Sequence, residues 1–296
     1  MSRLWVLGNA GLDIGLRLPR LAEPGETLVG AACGRAPGGK GLNQAAVAAR
    51  TGLVPVMFRA PVGDDAEGRE VARLAALEPF AALELPVLAA PTDVSILMVL
   101  PGGENAIVSA GDCAFALPPG DAAAFASRCA PGDWLLLQGN LLPEVTAAAI
   151  SAARARGGQV ALNTAPVSEG TAALLPGLDL VIANANEAHA LAGGGGAAAL
   201  GLVSGGIAVV TLGADGCHVA AGASARHHPA PAVDAVDTTG AGDAFCGVLL
   251  AALAAGWSLD AAVAVAQRAA ASTVTRPGAF DALPGAAELC ALLAQR

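Results

Sequence analysis

Between Asp237 and Phe245 the chain reads Asp-Thr-Thr-Gly-Ala-Gly-Asp-Ala-Phe, which puts a flexible turn, a helix start and a carboxylate within nine residues. Gly240 and Gly242 can take backbone conformations closed to other residues, and they keep bulky side chains away from the amide N–H groups. Phe245, Val248, Leu249, Ala252 and Leu253 follow at helical spacing, and Gly256 offers a left-handed cap. The turn is therefore expected at a helix N-terminus, where unpaired N–H donors and the positive end of the helix dipole suit phosphate oxygens. Asp243 falls in the first turn of that helix, beside the anion. An acid there also stabilises a helix without any chemistry. Its pairing with a glycine turn built for anions favours a task, and taking the proton from an attacking hydroxyl is such a task. In phosphoryl transfer the hydroxyl loses its proton late, so such a base needs placement more than basicity.

A second glycine turn, Gly38-Gly39-Lys40-Gly41-Leu42-Asn43-Gln44, leads into a helix with Leu42, Ala45, Ala46 and Ala49 on one face. Gly34, Gly39 and Lys40 nearly fit the phosphate-loop pattern, but Gly41 stands where the metal-holding hydroxyl should be, which excludes a P-loop. The remaining functional reading is a loop that presents backbone N–H groups and the Asn43 amide to a hydroxyl-rich substrate. The bland alternative is a tight turn with Lys40 solvated.

Short apolar runs alternate with helical patterns along the chain: residues 5–7, 54–58, 134–137, 160–162, 178–182 and 207–211 read as strands, and 41–49, 67–77 and 143–155 as helices. Strand–helix–strand repetition predicts an α/β protein with a mostly parallel sheet covered on both faces. Ligands of such sheets gather beyond the carboxyl ends of the strands, where Asp13, Gln138 to Asn140, Asn163, Asn184 and Thr211 fall. Residues 12–18 with 27–32, and 94–100 with 106–109, read instead as strands without intervening helices, the second pair joined by a turn at 101–105. They predict a small antiparallel sheet that covers the substrate or pairs with another copy. Residues 193–196 read as a loop within one domain spanning 1–296.

The net charge of −9 and the lack of Lys and Arg clusters argue against nucleic acid. Cys33, Cys113, Cys129, Cys217, Cys246 and Cys290 are scattered without Cys-x-x-Cys spacing, which argues against zinc and a disulfide framework. His227-His228 lacks a matching ligand cluster. No apolar run reaches the roughly 18 to 20 residues of a membrane span, and the first residues read as a strand rather than a signal peptide, so the cytoplasm is expected.

The two glycine turns, their order and their separation resemble the ribokinase branch of the PfkB carbohydrate kinase family, over nearly the whole chain. Leu4 to Asp13 is similar to the family's first strand with its sugar-binding aspartate, and Pro24-Gly25-Glu26-Thr27 to its lid entry. Asn184-Ala185-Asn186-Glu187 resembles its Asn-x-x-Glu element, and Thr211-Leu212-Gly213-Ala214-Asp215-Gly216 its nucleotide loop. The resemblance implies a ribokinase-like three-layer αβα fold and ATP-dependent phosphorylation of a primary hydroxyl of a small sugar, ribose first. Another sugar or a nucleoside stands as the alternative, and a non-catalytic ligand-binding protein on the same fold as a remoter one.

By the same resemblance Asp243 is the base, and the backbone of Gly240, Ala241 and Gly242 is the anion hole. Asp13, Gly38, Gly39, Lys40, Asn43 and Asn140 face the sugar. Asn184 and Glu187 order magnesium-bound water and phosphates, and Thr211, Gly213, Gly216, Gly242 and Gln267 line the ATP. Asp237 with carbonyls of Thr239, Thr273, Arg276, Gly278 and Ala282 forms a K+ site, and two copies clasp their lids as a homodimer. Three positions depart from the family pattern: Gly11 in place of a sugar-contacting Asn, Gln138-Gly139-Asn140 in place of Gln-Leu-Glu, and Gln267 in place of His or Asn near the adenine. Gly11 is read as leaving room for a larger or differently oriented sugar.

Overall fold

A computed structural model describes residues 2–101, 105–192, 206–222 and 224–295. Its strands are β1 (Leu4–Leu7), β2 (Gly11–Arg17), β3 (Ala31–Gly38), β4 (Val56–Arg59), β5 (Val62–Gly63), β6 (Ala82–Glu84), β7 (Val87–Leu88), β8 (Asp93–Val99), β9 (Asn105–Ala110), β10 (Trp134–Gln138), β11 (Gln159–Asn163), β12 (Leu180–Asn184), β13 (Ile207–Thr211), β14 (Cys217–Ala221) and β15 (Ser224–His228). Its helices are α1 (Lys40–Arg50), α2 (Ala66–Ala75), α3 (Asp112–Phe115), α4 (Pro119–Ala126), α5 (Pro143–Ala155), α6 (Thr171–Leu174), α7 (Ala185–Ala192), α8 (Ala241–Ala254), α9 (Leu259–Thr273) and α10 (Ala286–Ala294).

Among the described residues the main sheet has nine strands in the order β15-β14-β13-β12-β11-β10-β1-β4-β6. Every pairing from β13 to β6 is parallel, and β14 and β15 close one edge antiparallel. Side chains alternate across a strand, so successive residues are sorted onto opposite faces. Leu4 and Val6 of β1 join one core with α1, α8 and α9, while Trp5 and Leu7 join the other with α4 and α5. That two-sided burial explains why these strands read as continuous apolar runs.

A four-stranded sheet, β3-β2-β8-β9, stands apart from the main one. Its outer pairs are antiparallel as expected, whereas its central strands β2 and β8 run parallel, a register that no hairpin pattern reveals. The strand expected at 27–32 lies instead at Ala31–Gly38. Thr27, Leu28 and Val29 carry the strand-like side chains but sit in irregular backbone, while the real strand is an exposed edge with no apolar alternation to betray it. Pro37 fits such an edge, where a missing N–H costs nothing. The turn expected at 101–105 lies partly, and the loop at 193–196 wholly, outside the described residues.

Candidate active site

Two helices bring the acid and its partners together. α8 opens on Gly240 at φ 80°, in the left-handed region, with no side chain capping the helix. Gly242 has open space where a Cβ would be. A ligand can thus approach the first turn of α8, where helix N–H donors point outward. α1 crosses α8 at very close range, because Gly247 has no side chain: a Cβ there would lie 2.3 Å from the Gln44 carbonyl oxygen and 2.4 Å from Val47 Cγ1.

The crossing sets Asn43 and Gln44 against Asp243, which is 6% exposed. Asn43 Nδ2 donates to Asp243 Oδ2 and Gln44 Nε2 to Asp243 Oδ1, both at 2.9 Å. Gln138 Nε2 donates to Gln44 Oε1 at 3.0 Å, which fixes the Gln44 amide. With both donors assigned, the carboxylate is held in one orientation. Asn43 Oδ1 and Asn140 Oδ1 are buried acceptors without a partner among the described residues, and both residues line the same cavity as Asp243. Buried polar atoms are normally satisfied, so the pair marks places for hydroxyl donors from a ligand.

This cavity, of about 490 Å³, lies between the lid sheet and the carboxyl ends of the main strands. Asn9, Gly11, Asp13, Gly39, Lys40, Asp93, Ser95, Thr239 and Gly240 also line it, with Leu97, Ile107 and Phe115 on the lid side. Asp13 lies on β2, opposite Ala36 and Ser95. Burial, with help from nearby Asp243, pushes the Asp13 carboxyl up to about 6, against a hydrogen bond from Ser95 and the Lys40 charge. Gly38 makes the space for it: a Cβ at Gly38 would lie 2.2 Å from Asp13 Cγ. Lys40 is not simply solvated. The nearby Asp243 carboxylate, with Glu187 and Asp13, holds its ammonium pKa above the ordinary value despite burial.

The glycine turn at Gly38 to Gly41 serves packing more than backbone recognition. Gly41 N–H donates to Asn9 Oδ1 at 3.3 Å and Leu42 N–H to the Asn9 carbonyl at 3.0 Å, so those donors are not left for a substrate. Gly39, at φ 95°, lies against Asn9. Gly139 packs its α-carbon so tightly that a Cβ would meet the Pro166 carbonyl oxygen at 2.1 Å, which explains the glycine in place of a larger residue. Asn140 beside it does face the cavity. Gly11 is not the vacancy expected either, since a Cβ there would lie 2.3 Å from the Asp93 carbonyl oxygen.

Beyond the cavity, Asn184 and Glu187 form a reciprocal cap on α7: Glu187 N–H donates to Asn184 Oδ1 at 2.9 Å and Asn184 N–H to Glu187 Oε2 at 3.0 Å. Thr164 Oγ1 also donates to Glu187 Oε2 at 3.0 Å, which ties β11 to this pair. Thr211 ends β13, and Gly213 at φ 61° and Gly216 at φ 90° bracket a single turn of 3₁₀-helix. Gln267, expected beside a nucleotide, is 8% exposed. Its Nε2 donates to the His228 carbonyl at 2.7 Å and lies 3.4 Å from Cys217 Sγ, so it braces the strands behind the loop.

Asp237 joins two loops: Oδ2 accepts from Gly278 N–H and Oδ1 from Thr239 N–H, both at 2.9 Å. The Arg276 side chain is paired with Glu288 at 2.9 Å, Thr273 Oγ1 donates to the Ala269 carbonyl at 2.9 Å, and the Thr273 carbonyl accepts from Arg276 N–H at 3.2 Å. Ala282 is fully buried. Sequence reading missed Asn9, Gln44, Asp93 and Phe115 as site residues. Gln44 lay inside the glycine motif, and its position next to Asn43 on a helix was the available signal. Asp93 had none, because a parallel pairing with β2 brings it to the site.

The model of the pfkB family carbohydrate kinases matches residues 1–286. The chain is 33% identical over 291 residues to the ribokinase of Haemophilus influenzae, covering 95% of each, and 28% identical over 307 residues to that of Bacillus subtilis, covering 99% of this chain and 100% of the other. Among solved structures it is similar to the ribokinase of Thermotoga maritima, with a TM-score of 0.88 at 28% identity over 100% of both chains. It is also similar to the Arabidopsis thaliana ribokinase complexed with ribose and ATP, with a TM-score of 0.84 at 27% identity over 99% of both. A fold, a carboxylate at an uncapped helix start and a lidded cavity that carries Asp, Asn and Lys side chains thus coincide with matches along the full chain, and the protein belongs to the pfkB carbohydrate kinase family, in its ribokinase branch.

Proposed function

We propose that the whole chain acts as one unit that transfers the γ-phosphoryl group of ATP to a primary hydroxyl of a small sugar, ribose before others. The observation that carries this reading is Asp243, held by Asn43 and Gln44 at 2.9 Å at the open start of α8, with acceptor oxygens of Asn43 and Asn140 that have no partner among the described residues in the same cavity. Asp13, Asn43 and Asn140 accept sugar hydroxyls, Gly38 and Gly39 give the backbone room for them, and the sugar's primary hydroxyl is turned toward Asp243. Asp243 takes the proton of that hydroxyl as the new O–P bond forms. The N–H groups at Gly240 and Gly242, with the Lys40 ammonium, receive the charge of the transferred phosphoryl group, joined by Ala241 N–H once it leaves the Thr238 carbonyl to which it donates at 3.3 Å.

ATP lies along Thr211, Gly213 and Gly216, with Gln267 supporting the loop from behind. Magnesium would supply neutralisation of phosphate charge when bound, and Asn184 and Glu187 would order the water around it. The all-oxygen set of Asp237 and the carbonyls of Thr239, Thr273, Arg276, Gly278 and Ala282 suits a monovalent cation such as potassium, which would fix the loop before α8. The exposed edge strand β3 and the exposed Val29 and Val108 favour pairing of two lids in a homodimer. The cytoplasm is the compartment where such an enzyme meets ATP, and among the described residues no helix is long and apolar enough to cross a membrane.

ATP consumption measured with a panel of pentoses, hexoses and nucleosides tests the reading. Turnover is expected with ribose at a rate above that of the others. No turnover with any sugar, or efficient turnover with nucleosides alone, would overturn it.

A further inference from the structure

Asp93 is a buried carboxylate that the proposed transfer does not use. It opens β8, is 5% exposed and lines the cavity shared by Asp13, Asn43 and Asp243. Its two oxygens are unequally satisfied. Oδ1 accepts from Cys113 N–H at 3.0 Å and Ala114 N–H at 3.1 Å, whereas Asn9 Nδ2 stands at 3.5 Å from Oδ2, the outer limit of a hydrogen bond. A carboxylate offers about four acceptor positions, so Oδ2 is nearly unused. Burial, against those few donors, pushes this carboxyl up to about 6.

Gly11 is shaped around this group. In the β2–β8 register Gly11 pairs with Asp93, and a Cβ on Gly11 would lie 2.9 Å from the Asp93 Cβ as well as against its carbonyl. Asn9 is held in turn by Gly41 N–H on its Oδ1, which leaves Nδ2 directed to the Asp93 side. One acceptor and one donor thus stand together on the cavity wall.

We propose that Asp93 Oδ2 accepts a ring hydroxyl of the acceptor sugar while Asn9 Nδ2 donates to the oxygen of that same hydroxyl, and that this pair selects sugars by the configuration at that carbon. The proposal rests on the sugar-kinase reading. It assigns to the strand β8 a recognition task that would otherwise be sought at positions 11 and 140. A role limited to capping the turn of α3 predicts the opposite behaviour of a variant that keeps the cap.

Asp93→Asn is that variant, because its Oδ1 can still accept from Cys113 and Ala114 while an amide replaces Oδ2. Calorimetric titration of ribose and its monodeoxy analogues into wild type and variant, without ATP, reads the contact, and turnover of the wild type separately reads the kinase function. The expected result is ribose affinity about tenfold or more weaker in the variant, as loss of one hydrogen bond to a charged group implies. One deoxy analogue should bind both proteins alike, kcat should stay within about threefold at saturating sugar, and the KM for ATP should not change. If the variant binds ribose and every analogue as wild type does, while wild type turns ribose over, Asp93 is a cap and the proposal fails alone. If wild type neither binds nor phosphorylates any sugar, the kinase reading fails and takes the proposal with it. Should Asp93→Asn not fold, Asp93→Ser keeps a capping hydroxyl and carries the same comparison with the same outcomes.

Discussion

Asp243 receives two amide donors, and the two differ in freedom. Gln44 is pinned by Gln138, whereas Asn43 has an Oδ1 without a partner among the described residues and can turn its amide over. In Asp243→Asn the new amide can therefore donate to a turned Asn43 while still accepting from Gln44, and the fold survives. Turnover should fall on the order of 10²-fold to 10⁴-fold with ATP binding retained. A variant with near-normal turnover would remove Asp243 as the base. Asp13 shows the cost of burying a carboxylate in this cavity. Its carboxyl rises from 3.8 to about 6 on folding, chiefly by burial, so ionisation opposes folding. The penalty is absent below the unfolded value, grows between the two values and is complete above about 6. Asp13→Asn should raise the ligand-free Tm at pH 8 and leave it nearly unchanged at pH 4, as calorimetry can check, while sugar binding is lost. An equal Tm change at both values would show that burial of charge at Asp13 is not what the substitution relieves.

At the scale of elements, the α1–α8 crossing places the site, and a glycine decides its distance. A methyl group at Gly247 would meet the backbone oxygen of Gln44 at 2.3 Å, which a side-chain rotation cannot relieve. Overpacking of this kind costs about 1 to 3 kcal/mol, and a shift of about 1 Å at a reacting group can cost on the order of 10²-fold in rate. Gly247→Ala should therefore lose far more kcat than Tm implies; unchanged kcat with a lowered Tm would show that α1 does not position Asp243. The glycine turns and the helix patterns were legible because local chemistry writes them: Pro143–Ala155 and Ile207–Thr211 begin and end where periodicity places them. The lid was legible only in outline. β3 is an exposed edge without apolar alternation, and the parallel pairing of β2 with β8 joins strands far apart in sequence. For the same reason Asp13 and Asn43 could be read from the chain, while Asp93, Asn9 and the pinning of Gln44 by Gln138 depend on register and crossing distance that no local pattern carries.

For the whole molecule, a lid that stands off the main sheet on its own four strands covers the cavity on one face and leaves Val29 and Val108 exposed on its surroundings. Light scattering should find a dimer at micromolar concentration, and an active species that is only monomeric would defeat the paired-lid arrangement. The loops joined by Asp237 predict faster turnover in potassium chloride than in a bulky organic-cation chloride at equal ionic strength; equal rates would remove the cation from the mechanism. The role proposed for Asp243 is narrower than either: to accept the proton of a primary sugar hydroxyl as that oxygen takes the phosphoryl group. Phosphorus NMR of the product formed from ribose, magnesium and ATP tests it most directly. Wild type should yield a phosphate monoester whose signal is split by two methylene protons, and Asp243→Asn should yield almost none in the same time. ADP formed without a sugar ester, an ester on a secondary carbon, or equal product from the variant would contradict it.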